Sequence, residues 1–123
     1  MSRKVLVVED NQASCELLVE ALSSLECEVR AVRDGAAALQ EVLSFRPKVV
    51  LMDIQLPLMD GVSVLRAIRR DPSLQSVRII AVTAYAMQGD RERFLDQGFD
   101  GYLGKPYEVA TMINEVRKAL DAA

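Results

Sequence analysis

The chain has 123 residues, 50% of them hydrophobic and 27% charged, with a formal net charge of −3 and no histidine. That length and balance fit one soluble globular domain able to bury an ordinary core, and they exclude a disordered chain. The negative charge argues against direct nucleic-acid binding, which needs a clustered positive excess; the lack of histidine removes the commonest transition-metal ligand, the usual general base and any phosphohistidine of its own.

Only Cys15 and Cys27 could form a disulfide, and the opening "MSRKVLVVED" lacks a signal peptide's arrangement. No apolar run approaches the roughly 20 residues of a membrane span. The expectation is a cytoplasmic protein without a membrane partner.

Five short apolar runs alternate with segments of helical period. The first strand, "KVLVVE", leads into Glu9 and Asp10, and Asn11 can cap a helix that places Ala13, Leu17, Ala21, Leu22 and Leu25 on one face. "CEVRAV" is the second strand, followed by a helix from Gly35 to Phe45 closed by Pro47. The third strand, "KVVLMD", ends in Asp53, and a helix from Gly61 to Arg70 closes at Pro72. The fourth, "RIIAVT", ends in Thr83, with a helix from Met87 to Gln97 capped by Gly98. "GYLGK" runs into Lys105, and after Pro106 the last helix presents Val109, Met112, Ile113, Val116 and Leu120 on one face.

Strict alternation of strand and helix implies a parallel sheet, and near-continuous apolar strands imply that both of its faces are covered. The fold class expected is therefore α/β, a doubly wound five-stranded (βα)5 sheet, with the common flavodoxin-like order 2-1-3-4-5. One domain fills residues 1–123, and the chain closes at "KALDAA", just past the fifth helix, which leaves no room for an output domain.

In that order the ligand side lies beyond the carboxyl ends of the strands, where Glu9, Asp10, Asp53, Thr83 and Lys105 fall, and since strands one and three are neighbours Asp10 and Asp53 are expected side by side, with Glu9 close. Three carboxylates about 5 Å apart repel by roughly 3 kcal/mol per pair at an effective dielectric of about 20. A hard divalent cation relieves the conflict, and few carboxylates, one main-chain carbonyl and room for water suit Mg²⁺. Lys105 and Thr83 then supply a charge and a hydroxyl to phosphoryl oxygens, and Asp53 is the natural nucleophile, able to form an acyl phosphate. Taken singly, each residue also has a plain reading: a solvated turn or helix cap for Glu9 and Asp10, a structural threonine, a surface lysine. It is their meeting at one edge that points to chemistry.

The segments "VLVVEDN", "VVLMDIQLPLMDG", "IIAVTAYA" and "GYLGKP" resemble, in order and spacing, the receiver domain of bacterial two-component response regulators, and the resemblance covers the whole chain. It implies that Asp53 is phosphorylated by a partner's phosphohistidine, that Glu9, Asp10, Asp53 and the Gln55 carbonyl hold Mg²⁺, and that Thr83 and Lys105 contact the phosphoryl group. Ala84 matches the small residue that leaves space for that group. Tyr102 matches the switch aromatic, which turns inward as Thr83 is drawn toward the phosphate. Gln55 and Tyr85 match positions that tune phosphoryl lifetime, Pro57 and Gly61 those that shape the loop after the acceptor, and the Lys105–Pro106 bond is expected to be cis. Glu9 stands where many relatives have aspartate, so it reaches the metal directly or through a water.

The same resemblance implies a regulatory protein rather than an enzyme, with a histidine kinase or histidine phosphotransfer protein as donor. A downstream protein target would dock on the face of the fourth helix, fifth strand and fifth helix. There Gln88, Asp90, Arg91, Arg93 and Asp96 form a mixed-charge surface. "MDIQLP" with "AVTAYAMQGD" is similar to single-domain receivers of the cell-division type and to receivers of hybrid kinases. A dehalogenase-like phosphatase would need a second acid where Gln55 stands. A flavin or nucleotide carrier would need glycines or hydroxyls that "EDNQAS" lacks, and a docking module without phosphorylation has no use for the five-residue set.

Overall fold

The computed structural model describes residues 3–56, 59–84 and 89–122. Five strands, β1 (Lys4–Val8), β2 (Glu28–Val32), β3 (Val49–Asp53), β4 (Arg78–Thr83) and β5 (Gly101–Gly104), alternate with α1 (Gln12–Leu22), α2 (Gly35–Phe45), α3 (Gly61–Arg70), α4 (Asp90–Gln97) and α5 (Val109–Asp121). All the strands pair in parallel, in the expected order β2-β1-β3-β4-β5.

Side chains alternate across the pleat, so each central strand feeds two cores. Leu6, Val8, Val50, Met52, Ile79 and Ala81 face α2, α3 and α4, where Val42, Val64, Ile68 and Phe94 pack on them. Val5, Val7, Leu51, Ile80 and Val82 face α1 and α5, meeting Leu18, Leu22, Met112, Val116 and Leu120. Every residue of β3 is buried. The edge strand β2 instead exposes Glu28 and Arg30, charges that discourage pairing with another chain.

The helix starts follow capping chemistry: Asn11, Asp34 and Asp60 each accept, through a side-chain oxygen, the backbone N–H three residues on, at 2.8–2.9 Å. At the end of α2, Arg46 turns left-handed, with φ 53°, and its N–H donates to the Val42 carbonyl at 3.1 Å, a left-handed cap that ends the helix just before Pro47.

Three expectations are corrected. The buried stripe of α1 is Cys15, Leu18 and Leu22, continued by Leu25, whereas Ala13 and Leu17 are exposed, Leu17 by 68%. Both stripes have helical spacing, and tertiary packing chose the other one. On α5, likewise, Val109 is 58% exposed. Third, α4 begins at Asp90, not Met87, since Gly89 before it has φ 90°, outside the helical region; Met87 and Gln88 lie outside the described residues.

Candidate functional site

The β1–β3 register sets Val8 beside Met52, so the next step along each strand brings Glu9 opposite Asp53, with Asp10 one residue further out. Glu9 and Asp53 are buried and Asp10 is exposed; one carboxylate oxygen from each lies within 4.8 Å of the others. Lys105, just past β5, closes the group: its Nζ donates to Asp53 Oδ2 at 3.0 Å and to Glu9 Oε2 at 3.2 Å. The remaining oxygens accept backbone donors, Asp53 Oδ1 from the Gln55 N–H at 3.0 Å and Glu9 Oε1 from the Asn11 N–H at 3.1 Å.

This packing shifts the titration of the group. Burial, and then the hydrogen bond shared with Asp53, push the Glu9 carboxyl above the ordinary glutamate value, against the Asn11 N–H and the Lys105 charge. Burial pulls the Lys105 ammonium down, but the hydrogen bond and charge of Asp53, joined by Glu9, outweigh it and leave the lysine raised. So the lysine stays charged, while the carboxylates retain repulsion that one ammonium does not remove. The donor set fits a hard cation: three carboxylates, one of them open to water.

Thr83 ends β4 fully buried, beside Gly104 of β5, and its carbonyl accepts the Lys105 N–H at 2.7 Å. A cleft of about 470 Å³, lined by Glu9, Ser14, Ala84, Lys105, Pro106 and Tyr107, opens over these groups. The Lys105–Pro106 peptide is cis, as expected.

The connection after Asp53 is held by glycine. A Cβ on Gly61 would come within 2.9 Å of the Asp53 carbonyl oxygen and 3.0 Å of Ile54 Cα, and the Gly61 N–H donates to the Ile54 carbonyl. One on Gly35, the first residue of α2, would overlap the Met59 carbonyl. Pro57 and Tyr85 lie outside the described residues.

Tyr102 of β5 has its ring stacked on Phe94 of α4. Asp90 departs from expectation: it is 5% exposed and bonded to Arg93 at 3.0 Å, so it belongs to the wall of α4 rather than to a solvated charge surface. Sequence reasoning missed Tyr107 and Ser14 as walls of the cleft. Position offered the only signal, two residues beyond the lysine and one helical turn beyond the acidic pair.

Residues 5–117 match the family model for the response regulator receiver domain. The chain belongs to that family. This receiver domain is 36% identical, over 123 residues and the full length of both chains, to the polar-differentiation response regulator DivK of Brucella anthropi. It is similar in structure to the receiver domain of a sensor histidine kinase from Pseudomonas aeruginosa, at TM-score 0.87 and 36% identity, covering 99% of this chain and 100% of that one; that protein was solved with a magnesium ion coordinated in its active-site cleft. A response regulator from Chloroflexus aurantiacus superposes at TM-score 0.90 and 26% identity, covering 99% and 100%. As a receiver domain the chain is a signalling module, of a kind that communicates with histidine kinases and downstream targets. Among its described residues no helix is long and apolar enough to cross a membrane.

Proposed function

We propose that this chain is a phosphorylation-dependent response regulator in which Asp53 accepts a phosphoryl group from a partner's phosphohistidine, with Mg²⁺ as cofactor. The observation that carries the reading is the convergence of Glu9, Asp10 and Asp53 within 4.8 Å, with Lys105 bonded to two of them. Glu9, Asp10, Asp53 and the Gln55 carbonyl would hold the metal. When bound it neutralises charge on the phosphoryl oxygens.

An Asp53 oxygen attacks phosphorus while the P–N bond breaks, its electron pair leaving on the imidazole, and an acyl phosphate results. Lys105, already 3.0 Å from Asp53, pairs with the added phosphoryl oxygens, and Thr83 donates its hydroxyl to one of them. Ala84 at the cleft wall leaves room for the group. Gln55, whose N–H steadies Asp53, and Tyr85 tune how long the acyl phosphate lasts.

The signal leaves by a change in protein binding. Thr83 and Tyr102 shift a two-state equilibrium that alters the face of α4, β5 and α5, where a downstream protein docks. The donor is a histidine kinase or histidine phosphotransfer protein, and the chain acts in the cytoplasm as one receiver domain over residues 1–123, supporting its own phosphorylation and dephosphorylation without being an enzyme for another substrate.

Incubation with a small phosphodonor and Mg²⁺, followed by intact-mass measurement, tests the assignment. Wild type is expected to gain one phosphoryl group and Asp53→Asn none. A gain in both, or in neither, would overturn it.

A further inference from the structure

Tyr102 lies midway along β5, opposite Ala81 of β4, and its half-buried ring runs along that of Phe94 with centroids 5.9 Å apart and planes 20° apart. Phe94 is held on several sides. It is 4% exposed within the core between the sheet and α2 to α4, and it meets Phe99 edge-on at 5.8 Å and 86°. The Arg93 guanidinium lies 5.0 Å from its ring centroid while its Nη2 holds Asp90 at 3.0 Å. A ring so fixed, beside a ring only half enclosed, forms a seat that the second ring can leave.

We propose that Phe94 is a positioning residue for Tyr102: its ring face stabilises the tyrosine in the place stacked on α4, and so sets the fraction of molecules in which Tyr102 turns toward Thr83. The proposal rests on the reading of Tyr102 as the moving aromatic. An aliphatic residue at position 94 would fill the core but offer no face to stack on. A stack of this kind biases a two-state equilibrium by about two- to tenfold. By linkage, whatever holds Tyr102 on α4 opposes, by the same factor, any group at Asp53 that favours its departure.

The test titrates wild type, Phe94→Leu, Tyr102→Leu and the double variant with beryllofluoride in excess Mg²⁺, the beryllofluoride standing for the phosphoryl group on Asp53. Phe94→Leu is expected to bind about two- to tenfold more tightly than wild type, and to change nothing when Tyr102 is already leucine. Should the leucine variant fail to fold, Phe94→Met replaces it in the same cycle. Unchanged affinity in the single variant, or an equal change in both backgrounds, would overturn the role of Phe94 while leaving Asp53 as the acceptor. No beryllofluoride binding by wild type would overturn both readings.

Discussion

Burial and the bond to Asp53 both favour a proton on Glu9, and a proton there competes with a cation for the same oxygen. Because the folded carboxyl sits above its ordinary value of 4.5, the competition extends to higher pH than for an exposed glutamate. Mg²⁺ affinity is therefore expected to fall with decreasing pH in a step that begins above 4.5, and Glu9→Gln should remove that step; calorimetric titration across the range would read it. The sign for stability is the opposite of the usual carboxylate case. In metal-free protein the raised Glu9 favours folding fully below 4.5, and the contribution is lost as pH rises through the folded value. Position along the chain told that Glu9, Asp10, Asp53 and Lys105 would meet. It set Asp10 beside Asp53, whereas Glu9 is the buried partner facing Asp53 and Asp10 the exposed one, because a shift of one step in parallel register exchanges those places.

Arg69 of α3 ties helix to sheet at the edge away from the acidic cluster. Its guanidinium donates to the Val77 carbonyl at 2.8 Å and to Asp100 Oδ2 at 2.7 Å, and the same oxygen accepts the Ile79 N–H at 2.8 Å. Both side chains are about a quarter exposed, which screens the charge. Arg69→Met is expected to cost about 1–2 kcal/mol of unfolding free energy, read by urea denaturation, with Mg²⁺ affinity unchanged. Asp60→Ala, which removes the cap of α3, should cost about 1 kcal/mol in the same assay. Elements were most legible where a cap and a stop both stand in the chain, as for α2 between Asp34 and Pro47 or α3 between Asp60 and Pro72. They were least legible where two apolar stripes share one helical period. Leu17 and Leu18 compete for the core face of α1, and only the sheet beneath decides between them.

Across the whole molecule, the sheet delivers charge to one end and apolar surface to both faces, so the acidic cluster is built on strands whose other residues have no reason to move. Self-repulsion among its carboxylates works against the fold until a cation arrives. Mg²⁺ at ten times its dissociation constant is expected to stabilise the protein by about 1.4 kcal/mol, seen as a rise in Tm, and Asp53→Asn should lessen both the repulsion and the rise. The order of the sheet was legible because alternation, burial on two faces and handedness leave few arrangements. The contacts made by Gly35 and Gly61 were not, because they depend on how closely α2 and α3 approach the backbone around the acceptor. A methyl group at position 61 would press on the carbonyl of Asp53, and one at position 35 on that of Met59. A genetic screen for lost signalling will therefore return these two sites alongside the carboxylates, although what they provide is clearance: room for a reactive group that neither residue touches with a side chain of its own.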